Sequence, residues 1–149
     1  MFTPAENRAI KKALKILEGS FVREGLSVTG PDSIKAYCQL KIGAEEQEVF
    51  SVLFMDQKNV LIENRAMFYG TINSASVYPR EILKVALQLN SAAIICYHNH
   101  PSSDTRPSEA DKRITTQIQE ALRYIDVALL DHLVVSSTET TSFAELGLL

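Results

Sequence analysis

Two histidines separated by a single residue, His98 and His100, stand in a chain that has three histidines in all. In an extended strand end the two imidazoles project to the same side, within reach of one cation. The pair alone is ambiguous, because H-x-H also describes two surface or hydrogen-bonded histidines. Asp111 adds a carboxylate. It falls on the same helical stripe as Ile114, Ile118, Ala121/Leu122 and Ile125, since seven residues make nearly two turns and bring 111 into line with 118. An ionised aspartate pointing coreward is costly unless a cation or several donors meet it. Ser108-Glu109-Ala110-Asp111 also fits S-x-x-D, a capping-box-like start in which Asp111 returns to the N-cap amide. Both readings of the acid stand, and they compete for its lone pairs. Two histidines and one carboxylate leave a fourth tetrahedral position open, the feature that separates catalytic from structural zinc. Such a centre suits hydrolysis, in which water is acidified to a pKa of about 7 and a second carboxylate moves its proton to the leaving nitrogen. The sequence must therefore also supply a glutamate.

The elements that position these residues follow from periodicity. Ala92-Ala93-Ile94-Ile95-Cys96-Tyr97 is a continuous apolar run, as in a central strand buried on both faces, and it leads straight into His98-Asn99-His100-Pro101. The polar stretch Ser102-Ser103-Asp104-Thr105-Arg106-Pro107 reads as a loop, and Ser108 opens a helix. Upstream, Glu48-Val49-Phe50-Ser51-Val52-Leu53-Phe54-Met55 reads as a strand, Asp56-Gln57-Lys58-Asn59 as a turn and Val60-Leu61-Ile62 as the returning strand. Tyr78-Pro79-Arg80-Glu81 opens a helix with Ile82, Val85, Ala86 and Leu89 on one face, stopping near Asn90, and Leu133-Val134-Val135 makes a last strand. Thr3-Pro4-Ala5-Glu6 reads as a capped helix start continued by Ile10, Leu14 and Leu17. After the connection through Val28-Thr29-Gly30-Pro31, a second short helix starts at Asp32-Ser33-Ile34. The order predicts a mixed sheet with helices packed on it and an N-terminal helical appendage.

Bulk properties narrow the classes. A chain of 149 residues, 46% hydrophobic and 22% charged, is long enough for one domain with its own core. A net charge of -3 gives no basic face for strong direct binding to nucleic acid. Cys38 and Cys96 form no C-x-x-C, so neither a disulfide framework nor a cysteine zinc ribbon is expected, and a reducing compartment is. Arg8, Lys11, Lys12 and Lys15 interrupt the N-terminal stretch that a signal peptide would keep apolar, and no run could span a bilayer. Cytoplasmic localisation is the resulting expectation. Nucleobase deamination would need H-x-E with a later P-C-x-x-C, and neither occurs. A paired-metal nuclease would draw on more clustered carboxylates than this loop offers.

His98-Asn99-His100-Pro101, seven residues from His100 to Ser108 and two more to Asp111 resemble the JAMM motif H-x-H-x7-S-x2-D of the JAB/MPN+ family. Phe68-Tyr69-Gly70-Thr71-Ile72-Asn73, Val77-Tyr78-Pro79-Arg80-Glu81, Asp131-His132-Leu133-Val134-Val135 and Ser142-Phe143-Ala144-Glu145 resemble RadC-type members of it. The resemblance runs from about residue 30 to the C-terminus and divides the chain into an N-terminal helical segment, 1–29, and a RadC-like domain, 30–149. It implies an α/β fold of the MPN, cytidine-deaminase-like kind, with one zinc on His98, His100 and Asp111 and with Ser108 assisting the oxyanion. The implied activity is peptide or isopeptide hydrolysis, with Glu48 as general base and Glu45 and Glu46 as competitors for that role. The implied partners are a peptide or protein substrate and a DNA-repair or replication protein. A non-catalytic zinc-containing interaction module associated with repair, replication or recombination is the alternative. The helix-hairpin-helix region of longer RadC-like proteins is not found, so the chain resembles the short form. Two departures stand out: Cys96-Tyr97 precede the first histidine where small residues are usual, and Ser103 stands where glycine is expected. Cys96 shares the strand parity of His98 and is either a spare ligand or a buried apolar thiol. Asp131-His132 is either a pair that orients a ligand histidine or a structural pair.

Overall fold

The computed structural model describes residues 1–25, 30–70 and 77–149. The boundary expected at 29/30, Val28-Thr29 of the first connection and Thr71-Ile72-Asn73 lie outside the described residues. Five strands, β1 (Val49–Met55), β2 (Leu61–Tyr69), β3 (Ala93–Asn99), β4 (Ala128–Val135) and β5 (Thr140–Ser142), form one sheet in the order β2-β1-β3-β4-β5. β3 and β4 run parallel, and the other neighbours are antiparallel. Among the described residues four helices cover it: α1 (Pro4–Glu24), α2 (Pro31–Ile42), α3 (Pro79–Gln88) and α4 (Glu109–Arg123). The mixed α/β sheet expected from the sequence is the one observed, with β5 as a short strand that its three residues did not announce.

All seven residues of β1 and all seven of β3 are buried, which requires a layer on each side of the sheet. Pleating sorts them. Val49, Leu53 and Met55 of β1 with Ala93, Ile95 and Tyr97 of β3 pack with Phe21 of α1 and Tyr37, Cys38 and Ile42 of α2. Phe50, Val52 and Phe54 with Ile94 and Cys96 pack with Ile82, Val85 and Ala86 of α3 and Ile114, Ile118 and Leu122 of α4. Phe21 is fully buried, edge-on to Tyr37 with ring centroids 5.3 Å apart. The N-terminal helix therefore helps to cover one face of the sheet.

The caps follow the local sequence. Thr3 Oγ1 accepts from the Glu6 amide at 3.2 Å and Glu6 returns to the Thr3 amide at 2.7 Å, closing the capping box of α1. In the β1–β2 turn Asp56 Oδ1 accepts from the amides of Lys58 and Val60, and Asn59 takes a left-handed φ of 59°. The parallel β3–α4–β4 crossover lays β4 directly beside the histidine strand, with Cys96 opposite His132 and His98 opposite Val134. Among the described residues no helix is long and apolar enough to cross a membrane.

Candidate metal centre

β3 delivers both histidines. Even-numbered residues of β3 face α3 and α4, so His98 enters that layer fully buried, and His100 continues the alternation one residue beyond the strand. The amide of His100 donates to the Val135 carbonyl at 2.9 Å, which keeps the strand end in the sheet. The chain then turns. Ser103 takes a left-handed φ of 69°, where the resemblance expected glycine, and its amide donates to the His100 carbonyl at 3.0 Å. His100 Nδ1 lies 2.7 Å from the Asp104 carbonyl, which can only accept, so this nitrogen carries the proton and Nε2 carries the lone pair in the neutral ring. Thr105, buried, meets Thr141 of β5 at 2.8 Å and ties the loop to the sheet.

Asp111 arrives from the first turn of α4. Ser108 is its N-cap: Ser108 Oγ accepts from the Asp111 amide at 3.0 Å, and Asp111 Oδ2 accepts from the Ser108 amide at 2.8 Å. The same carboxylate faces the imidazoles, with Oδ1 3.2 Å from His98 Nε2 and Oδ2 3.1 Å from His100 Nε2. The two Nε2 atoms are 3.1 Å apart. The capping and coreward readings of Asp111 thus coexist, because Oδ2 serves the cap while Oδ1 points only inward. Two imidazole nitrogens and one carboxylate, donor types that suit a divalent metal, meet here, the nitrogens 3.1 Å apart and each 3.1–3.2 Å from a different oxygen of the carboxylate. Ligands about 2.0–2.1 Å from a tetrahedral zinc stand roughly 3.3 Å apart. The buried group of His98, His100 and Asp111 could hold a metal ion. Burial alone would raise the Asp111 carboxyl; the imidazoles of His100 and His98 outweigh it and hold the group well below the usual carboxylate range. The bond to Asp111 raises His100 in turn, against the opposing effect of burial.

Glu48 precedes β1. Phe50 pairs with His98, and continuing that antiparallel register by two residues sets Glu48 across from His100 on the same face. Its charge contributes to raising His100. Glu45 and Glu46 are exposed, whereas Glu48 is half-buried. Ser108 is exposed at the rim, one helical turn from Asp111. Cys96 lies apart from the trio, fully buried in the α3/α4 layer, and burial pushes its thiol up.

Asp131 and His132 separate onto opposite faces of β4, as neighbours in a strand must. Asp131 accepts from Ser142 Oγ, the Ala144 amide and the His132 amide. His132, fully buried, lies with Nε2 2.8 Å from His98 Nδ1 and Nδ1 2.6 Å from Thr115 Oγ1, and Thr115 Oγ1 also lies 2.6 Å from the Asp111 carbonyl. Burial drives His132 well below the ordinary histidine value, and the neighbouring His98 adds to this. The sequence pointed to His132 but gave no reason to pick Thr115, four residues after Asp111 on the same helix.

Asn99, the residue between the histidines, faces the other side of the sheet. Its Oδ1 accepts from the Val49 amide at 2.7 Å, and its Nδ2 donates to the carbonyls of Glu45 and Gln47 at 3.1 and 3.0 Å. Glu48 is thus bracketed by backbone groups that Asn99 holds. The sequence carried one signal for this, an asparagine at a position that must turn away from the two histidines.

A model of the RadC-like JAB domain matches residues 28–148. A UPF0758 protein of Vibrio cholerae is 48% identical over 142 residues, 95% of this chain and 89% of that protein. The UPF0758 protein YkfG of Escherichia coli strain K12 is 42% identical over 147 residues, 99% of this chain and 93% of its own. A longer UPF0758 protein of Pseudoalteromonas translucida is 50% identical over 119 residues, 80% of this chain and 53% of that protein. A family match over most of the sequence, these relatives and a five-stranded mixed sheet flanked by helices together establish that the chain belongs to the RadC-like JAB domain family.

Proposed function

We propose that the chain is a zinc-dependent hydrolase of the JAMM type, a metallopeptidase or isopeptidase, that holds one zinc on His98, His100 and Asp111. The observation that carries this reading is the cluster of two imidazole nitrogens 3.1 Å apart, each 3.1–3.2 Å from an oxygen of one buried carboxylate. When bound there, zinc supplies the Lewis acidity that polarises a scissile carbonyl and makes water acidic near neutral pH. Asp111 stays ionised and anchors the trio to α4. His100 stands at the exposed edge of the site, with 14% of its side chain accessible, while His98 is sealed beneath it. Glu48 takes the proton of the attacking water and returns it to the leaving nitrogen, a role that fits its place across from His100. The oxygen of Ser108 already accepts from the Asp111 amide, so its hydroxyl proton is available to a developing oxyanion. The proposed partners are a peptide or protein substrate and, separately, a DNA-repair or replication protein.

Metal analysis of protein purified without chelator tests the centre: one zinc per chain is expected, and stoichiometric zinc at unchanged affinity in His98→Ala would sink the ligand assignment. Glu48→Gln then tests catalysis. It should retain zinc to within about threefold while lowering turnover by about 10²–10⁴-fold, and it should hold an uncleaved substrate for proteomic capture. Equal behaviour of this variant and the wild type in every cleavage assay would instead favour a zinc-containing interaction module.

A further inference from the structure

We infer that Thr115 and His132 form a proton-ordered relay that fixes His98 as the tautomer with Nδ1 protonated and Nε2 bare, making both of them positioning residues of the metal centre. The inference rests on the zinc reading above.

The order follows from one group that has no choice. A backbone carbonyl only accepts, so Thr115 Oγ1 must spend its single proton on the Asp111 carbonyl 2.6 Å away. The same oxygen is 2.6 Å from His132 Nδ1, and it can now act there only as acceptor. Nδ1 of His132 therefore carries a proton. His132 lies between the ring of Phe143, stacked at 4.7 Å, and that of Phe50, edge-on at 5.4 Å. Its two nitrogens meet a hydroxyl and an imidazole, so an imidazolium in this place would have no anion in contact. The ring is neutral, and Nε2 offers a lone pair. His98 Nδ1, 2.8 Å away, must then donate to it.

What is left on His98 is Nε2 with its lone pair, directed at His100 Nε2 and Asp111 Oδ1. His100 reaches the same state independently, through the Asp104 carbonyl. In their neutral forms both rings thereby offer Nε2 to a cation. The relay starts on the backbone of Asp111 and ends on the imidazole that faces its side chain, so it closes a ring across α4, β4 and β3. Metal-bound histidines are commonly oriented by a carboxylate or a carbonyl. Here a hydroxyl and a neutral imidazole do so for His98 and add no negative charge. Asp111 is then the only anion within the ligand trio.

Two measurements test the relay. Ring-nitrogen NMR of zinc-loaded protein labelled in histidine is simple, since the chain has three histidines, and His100→Ala and His132→Gln assign them. Expected are a protonated Nδ1 and zinc-shifted Nε2 on His98, and a protonated Nδ1 with a bare Nε2 on His132; a proton on His132 Nε2 overturns the relay. Zinc affinity, measured by competition with a chelating dye, should fall roughly 10–100-fold in Thr115→Val and stay within about threefold in Thr115→Ser, which restores the hydroxyl. If His98→Ala binds zinc as the wild type does, the metal reading itself fails. If His98→Ala loses zinc while Thr115→Val keeps wild-type affinity, the site stands and the relay is wrong. Should Thr115→Val not fold, the spectrum of the wild type still decides.

Discussion

Asp111→Asn separates the two jobs of one carboxylate. A carboxamide keeps an oxygen that can accept from the Ser108 amide, and Ser108 Oγ still accepts from the amide of residue 111, so the first turn of α4 persists. What disappears is the negative charge facing His98 and His100 at 3.2 and 3.1 Å. Zinc at a hundred times its Kd stabilises the folded chain by about 2.7 kcal/mol through mass action. At about 2–4 °C per kcal/mol for a chain of this size, the wild type should gain roughly 5–10 °C in Tm. Removing one partner from a buried charge cluster costs about 3–5 kcal/mol, or roughly two to four powers of ten in affinity. At the same zinc concentration the remaining stabilisation is then at most RT ln 2, about 0.4 kcal/mol, and the gain shrinks to about 0–2 °C. Differential scanning calorimetry at neutral pH, with and without added zinc, reads this directly. A variant that keeps the full wild-type gain would refute the claim that this carboxylate is a ligand.

Three further outcomes follow from other parts of the molecule. Ser103→Gly relieves a left-handed φ of 69° and should stabilise the chain by about 0.5–1 kcal/mol in urea unfolding, after the added freedom of the unfolded glycine is subtracted; destabilisation would mean the serine makes a contact that matters more than its backbone. Phe21→Ala removes a fully buried ring and should cost about 3–5 kcal/mol, whereas a loss under about 1 kcal/mol would show that α1 is dispensable to the core. In metal-free protein the His100 value lies above 6.5 because Asp111 bonds to it, so its contribution is fully present below that pH and is lost as pH rises through the raised value. The stability gap between wild type and His100→Gln should therefore be widest on the acid side and close towards alkaline pH, and a gap that widened with pH would contradict the pairing.

The sequence carried the trio of His98, His100 and Asp111 because its geometry is local. Period two aligns His98 with His100, and the helical stripe turns Asp111 inward, so neither deduction needed the sheet order. Glu48 is different, since only the resemblance singled it out from Glu45 and Glu46. The structure supplies the physical distinction, a register that runs Phe50 against His98 and leaves Glu48 opposite His100. Thr115, and the contact that His132 makes with His98, were out of reach for the same reason: which strand neighbours β3 is a long-range fact, fixed by the parallel crossover and not by any window of residues. What the N-terminal helix covers was not legible, because its stripe of Leu14 and Leu17 says that something is covered without saying what. Strand β5, at three residues, is too short for alternation to declare itself.

Asn99 acts as a jig. One side chain grips the backbone on both sides of position 48 while its own backbone lies between the two histidines, so Glu48, His98 and His100 ride on a common mount. Thermal drift of the β3 tip then shifts them together and leaves their mutual spacing intact. Tolerance of that kind belongs to a fixture whose working parts are indexed to each other instead of to the surrounding frame.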